Sequence, residues 1–86
     1  MFRVSFKPSF VREAKRLEYA LFEELLEKIE LLKDKKNHSS LKVHKLHGKL
    51  RGFWSFSVTY KVRVVFQFES ENEIVLLAVG DHDVYR

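Results

Sequence analysis

Hydrophobic and polar positions change rhythm along this chain, and each rhythm predicts an element. Phe2 to Phe6 alternates, with Phe2, Val4 and Phe6 apolar against Arg3 and Ser5, the period of a half-buried strand. Lys7-Pro8-Ser9 breaks it. Pro8 suits the first turn of a helix, where its missing N–H costs nothing, and Phe10, Ala14 and Leu17 follow at helical spacing with Val11 beside them. The spacing predicts a short helix from Pro8 to Leu17. A longer helical pattern runs through Leu21, Leu25, Ile29 and Leu32, widened by Phe22 and Leu26, with Glu23, Glu24, Glu27, Lys28 and Glu30 outside. Its glutamates come early and Lys33, Lys35 and Lys36 late, as the helix dipole prefers. The two helices are expected to form a hairpin.

From Asn37 the rhythm shortens. Asn37-His38-Ser39-Ser40 reads as a polar connector, Leu41 to Leu46 as a short strand or an extended segment, and Gly48 and Gly52 punctuate a basic loop. Phe53 to Tyr60 alternates, with Trp54, Phe56, Val58 and Tyr60 on one side and Ser55, Ser57 and Thr59 on the other. Val62 to Phe68 alternates again, setting Val62, Val64, Phe66 and Phe68 against Arg63, Val65 and Gln67. After an acidic turn from Ser70 to Glu73, the unbroken apolar run Ile74 to Val79 predicts a central or doubly covered strand. The sum is an α+β domain spanning residues 1–86: an N-terminal strand, an α-helical hairpin and a three-stranded antiparallel meander in two layers. Helices cover one sheet face, which leaves the other for function.

Composition narrows the class. Eighty-six residues suffice for one domain with little interior, so apolar side chains at helical spacing are assigned to the core and not to a ligand pocket. With no cysteine there are no disulfides, thiolate metal sites or thiol nucleophiles, which is compatible with a reducing cytoplasm. No apolar run approaches the ~18 residues of a membrane span. A cytoplasmic protein with no membrane partner is expected.

Charge changes the picture more. Residues 1 to 34 carry seven basic and seven acidic side chains, so the whole net charge of +4 arises after them. The 29 residues from Lys35 to Arg63 hold eight basic side chains and three histidines but no Asp or Glu, whereas the chain has twelve acids elsewhere. Such asymmetry favours a basic face that meets a polyanion. Within it Arg63 is the odd member of an apolar strand and should project away from the helices, beside the small Ser55 and Ser57, which leave room for a ligand. A guanidinium there is either a surface ion-pair partner or a clamp for a phosphate whose charge grows in a transition state. His82 follows the last strand, as a solvated tail histidine or as a group folded back over the sheet end. His44 and His47 lie in the basic segment, and histidine can act as base and acid near neutrality. Two such rings around an arginine would suffice for metal-free cleavage of RNA by its own 2′-hydroxyl. The histidine spacings fit no zinc pattern, so neither metal nor cofactor is expected.

Several short motifs now line up. Gly52-Phe53-Trp54-Ser55, Thr59 and Arg63-Val64-Val65-Phe66 look like the glycine-aromatic-tryptophan-serine and arginine-leucine-valine-tyrosine signatures of YoeB-type toxins. His44-Lys45-Leu46-His47-Gly48, the spacing to Gly52 and the terminal Gly80-Asp81-His82 resemble YafQ-type toxins. In their order and spacing the chain resembles the RelE/ParE superfamily of toxin–antitoxin toxins over essentially its whole length, on the side of the YoeB- and YafQ-type mRNA interferases. The resemblance implies a two-layer RelE-like fold. It also implies that Arg63 stabilises the phosphate, that His82 is the C-terminal catalytic histidine, and that His44 occupies the place of the base. Departures accompany it: Ser55, Ser57 and Lys61 stand where YafQ-type toxins carry aspartates and a histidine, and Phe56 and Ser57 where YoeB-type toxins pair arginines.

The expected function is therefore that of a type II toxin, a ribosome-dependent mRNA endoribonuclease. Its partners would be a cognate antitoxin and mRNA in the 30S A site. His44, Arg63 and His82 are the expected catalytic residues, with His44 or His47 as base; Lys42, Lys45, His47, Lys49, Arg51 and Lys61 are expected to hold RNA phosphates. A ParE-type gyrase inhibitor and a degenerate toxin that only binds antitoxin are the alternatives.

Overall fold

The computed structural model describes residues 1–85, apart from the side chains of His82 and Asp83. Strand β1 (Arg3–Phe6) leads into helix α1 (Pro8–Ala14), and α2 (Tyr19–Leu32) completes the helical hairpin. Then come β2 (His44–Lys45), β3 (Trp54–Ser57), β4 (Arg63–Ser70) and β5 (Glu73–Gly80), with 3₁₀ turns at Lys35–Asn37, Gly48–Leu50 and His82–Tyr85. None of the described helices is long and apolar enough to cross a membrane.

The five strands form one sheet in the order β1-β5-β4-β3-β2. The expected antiparallel meander is β3-β4-β5. What the alternation pattern left open is where β1 goes: it runs parallel to β5, Val4 opposite Ile74 and Phe6 opposite Leu76, and so places β5 inside the sheet. Ile74, Val75 and Leu76 are buried in succession: β5 has a strand on either side, and Ile74 and Leu76 face the helical layer. β1 ends at Phe6, and α1 takes over the edge of β5 beyond it. There the Ser9 hydroxyl donates to the Leu77 carbonyl at 2.9 Å and Glu13 accepts from the Val79 N–H at 3.0 Å. Two backbone groups that β1 is too short to reach are thus satisfied by helix side chains.

Both helices lie on one face. Phe10 and Ala14 of α1 and Leu25, Ile29 and Leu32 of α2 pack against Phe56, Val64, Phe66, Ile74, Leu76 and Val79, with Leu41 and Val58 closing the cluster. Leu25 and Leu32 are one α-helical stripe, seven residues apart, and each such burial contributes roughly 1.5–3 kcal/mol. Phe6, expected to face inward, is 49% exposed, since it stands at the end of an edge strand beside Phe10.

Helix α1 is shorter than its periodicity suggested, because after Ala14 the chain turns and Leu17 reaches the core from the connector. α2 stops at Leu32, so Lys35 and Lys36 lie beyond it in the first 3₁₀ turn. Its last carbonyls are answered by side chains: Asn37 Nδ2 donates to Leu31 and His38 Nε2 to Leu32, at 2.9 and 2.8 Å. A carbonyl can only accept, so His38 carries its proton on Nε2. Its ring also stacks on Phe2, with centroids 5.4 Å apart. One of the three histidines in the acid-free segment is therefore a helix cap.

The run Phe53 to Tyr60 is strand only from Trp54 to Ser57. Residues 58–62 form a hairpin loop held by Val58 N–H to the Val62 carbonyl and by Val62 N–H to the Thr59 hydroxyl. Tyr60 at its tip is 86% exposed, so the pattern that placed it with Phe56 and Val58 ran one turn too far.

Candidate active site

Cross-strand pairing decides which side chains share a face. His44 is opposite Ser55, Ser55 opposite Val65, and Val65 opposite Ala78; in the next row Ser57 is opposite Arg63 and Arg63 opposite Gly80. Directly paired residues project to the same side, so His44, Ser55, Ser57 and Arg63 all stand on the face away from the helices. Two strand spacings and two residues of rise separate the His44 and Arg63 backbones by about 12 Å. Their side chains can reach inward over that gap to a nucleotide linkage.

His44 is exposed, and its Nδ1 donates to the Lys42 carbonyl at 2.8 Å. A carbonyl accepts only, so in the neutral ring the lone pair lies on Nε2, the outer nitrogen. That is the tautomer a general base requires. The local backbone explains it: Lys42 adopts a left-handed conformation, φ 59°, which costs a non-glycine residue about 1–2 kcal/mol. In this bent segment the Lys42 carbonyl comes within reach of the ring two residues on. Alternation of apolar residues carries no sign of such a turn.

Arg63 is half-buried at the start of β4, where its Nη1 donates to the Thr59 carbonyl at 2.6 Å. The hairpin loop thus orients the guanidinium through its own backbone. Nε and Nη2 have no hydrogen-bond partner among the described residues, leaving donors for an anion. Lys61 is exposed in the same loop. The His82 side chain lies outside what the structure describes. Its backbone opens the last 3₁₀ turn, two residues beyond Gly80, which is the partner of Arg63.

The basic residues divide between two faces. Lys45 is paired with Trp54, one step along from His44 and Ser55, and the pleat therefore sends it to the opposite side, where its Nζ lies 5.6 Å from the indole centroid. His47 and Arg51 line a cleft with Lys45 and Trp54, away from His44. Lys42 and Lys49 are exposed, Lys42 just before β2 and Lys49 in the second 3₁₀ turn. The fold thus gathers His44 and Arg63 on one face with Lys61 in the loop at its edge. It does not bring Lys45, His47 or Arg51 to that face. Among the described residues no group of three potential metal ligands gathers.

Tyr85 is the residue that sequence reasoning missed. Ser55 was expected to leave open space for a ligand, but it is 0% exposed, and its hydroxyl lies 2.8 Å from the Tyr85 hydroxyl. The last turn folds back onto β4 and β5 and occupies the space over Ser55. The only signal in the sequence was an aromatic residue shortly after a strand end. Ser57, next to Arg63, remains partly open. Replacing Tyr85 with Phe should cost about 1–3 kcal/mol in urea unfolding, because it strands a buried hydroxyl; adding Ser55→Ala should recover part of that loss. A Tyr85→Phe protein within 0.5 kcal/mol of wild type would mean that the tail is not anchored there.

A five-stranded mixed sheet backed by a helical hairpin, with a histidine and an arginine on its uncovered face, defines a RelE-like α+β fold. The model of the family described as ParE toxin of type II toxin–antitoxin system, parDE, matches residues 4–84, and the chain belongs to that family. It is a toxin of a type II toxin–antitoxin system. Solved structures agree in fold. YafQ from E. coli strain BL21(DE3) superimposes with a TM-score of 0.80 at 12% identity, covering 99% of this chain and 98% of that one. A chain of the toxin–antitoxin complex RelBE2 from Mycobacterium tuberculosis gives 0.75 at 18% identity over 94% and 98%. One from the YoeB-YefM complex of Staphylococcus aureus gives 0.74 at 17% over 95% and 98%. No curated protein matches the sequence significantly.

Proposed function

We propose that this toxin is an mRNA endoribonuclease that acts on the ribosome and is held silent by a cognate antitoxin. The observation that carries the reading is His44: an exposed ring whose Nδ1 is tied to the Lys42 carbonyl, with Nε2 turned out on the face that also bears Arg63. In the reaction His44 Nε2 takes the proton of a ribose 2′-hydroxyl, and that oxygen bonds to the neighbouring phosphorus. The bond from phosphorus to the 5′-oxygen breaks, and His82 gives the leaving oxygen its proton. Arg63 donates to the phosphate oxygens as their charge rises. Products are a 2′,3′-cyclic phosphate and a 5′-hydroxyl, formed without a metal ion. An antitoxin partner is supported by the complexes in which similar folds are found, RelBE2 and YoeB-YefM.

Mapping the 5′ ends of cellular mRNA after induced expression tests this. Clustered in-frame cuts bearing 5′-hydroxyls and 2′,3′-cyclic phosphates, reproduced by purified protein in a translation extract, are the expected result. An uncut transcriptome, or cuts that leave 5′-phosphates, would sink it. A second reading, inhibition of DNA gyrase by contact, is favoured by the ParE description of the family and by the Tyr85 turn, which narrows the face around Ser55. Loss of supercoiling activity with intact translation would select that reading instead.

A further inference from the structure

The pleat of β2 splits the acid-free segment, and the nuclease reading uses only the side that carries His44. On the reverse side two clefts meet at Trp54. One, of about 410 Å³, is walled by Lys45, His47, Arg51 and Phe53. The other, of about 500 Å³, continues past Lys35, Phe2 and Phe68, with Glu71 at its margin.

We propose that this Trp54 groove is a second binding site for single-stranded RNA, in which a base stacks on the indole while Lys45 and Arg51 carry the adjoining phosphates. The inference deepens the reading of RNA as target and adds a surface separate from the cleavage face. Sites for single-stranded nucleic acid combine aromatic platforms with a cationic track, and both are present here within one cleft. Phe68 braces the platform: Trp54 meets it edge-on, centroids 5.0 Å apart at 88°, while the indole remains partly exposed. Lys45 lies over that ring as a weak, exposed cation–π contact. An incoming base would displace the ammonium from the indole to a phosphate, where a charge-assisted hydrogen bond awaits it. Polarity follows from charge. No acid occurs from Lys35 to Arg63, so the strand should run along Lys45 and Arg51 and away from Glu71.

Ordinary solvation would account for Lys45 alone. It gives no reason for Arg51, His47 and Phe53 to converge on the same cleft.

Trp54 is the only tryptophan in the chain, so fluorescence excited beyond the absorption of its three tyrosines reports on this groove alone. Titration with a 2′-O-methyl hexanucleotide, which cannot be cleaved by 2′-hydroxyl attack, should quench that emission saturably, with affinity falling steeply as salt rises. Lys45→Ala and Arg51→Ala should each weaken binding about three- to tenfold, whereas Lys15→Ala, an exposed residue just past the end of α1, should not. Trp54→Phe, read by fluorescence anisotropy of labelled RNA, should bind within a few-fold of wild type because a stacking ring remains. RNA binding by anisotropy without Trp54 quenching would overturn the proposal. Equal quenching by polyglutamate would also overturn it and point to an acidic peptide. Quenching without any mRNA cleavage leaves the groove standing and removes the nuclease reading; cleavage without quenching does the reverse.

Discussion

Replacing His44 with Asn should lower mRNA cleavage about 10²- to 10⁴-fold, the range over which a positioned general base contributes. Asparagine is the informative choice. Its Nδ2 can reproduce the donation that His44 Nδ1 makes to the Lys42 carbonyl, while nothing replaces the basic Nε2. His44 is exposed at the sheet edge, so stability should stay within about 0.5 kcal/mol of wild type in urea unfolding. The loss should fall on the cleavage rate at saturating ribosomes, not on binding, since the proton transfer occurs only in the transition state. A His44→Asn protein that cuts within threefold of wild type would remove His44 as base. His47 would be a poor substitute candidate, because it belongs to the cleft around Lys45 and Trp54.

Phe66→Ala should be the most destabilising of the substitutions considered, by about 3–5 kcal/mol. Phe66 is fully buried at the middle of β4, with ring centroids 5.9 Å from Phe56 and 5.3 Å from Phe68. It belongs to the cluster through which both helices meet the sheet. A domain of this length has roughly 4–13 kcal/mol in all, so one such cavity removes a large share of it. Urea midpoints at matched m-values give the measurement, and Phe66→Leu, which refills most of the volume, should lose much less. A loss under 1.5 kcal/mol would show that the core can collapse around the gap, contrary to its packing against two layers.

The same residue shows what kind of information the chain carries locally. Phe66 and its alternate neighbours Val64 and Phe68 were legible as one face of a strand because side-chain direction in a strand is a local property with period two. The α2 stripe from Leu25 to Leu32 was legible for the parallel reason at period 3.6. Tyr60 shows the limit. It keeps the alternation of Trp54, Phe56 and Val58, yet the chain turns at Thr59, since pairing with β4 ends where the Val58 to Val62 backbone bonds close the hairpin.

For the candidate site the division is similar. Arg63 could be assigned to the uncovered face from its place in β4, and pairing agrees. His44 and Lys45 stand side by side in the sequence and could not be told apart by charge, but register sends them to opposite faces, one opposite Ser55 and the other opposite Trp54. His38 looked like a third member of the basic segment and is a helix cap because the end of α2 lies six residues before it.

By itself the sequence determined the elements, the split of each strand into two faces, and the concentration of positive charge between Lys35 and Arg63, since all three depend on neighbours within a few residues. Only the tertiary structure decided that β1 lies parallel to β5, that Tyr85 returns to cover Ser55, and that the basic segment is shared between a His44–Arg63 face and a Trp54 groove. These are contacts between residues 30 to 70 positions apart, or consequences of a register set by a partner strand. A local pattern holds the propensity for an element, whereas the partner is chosen by the free energy of burying its face against the rest of the chain.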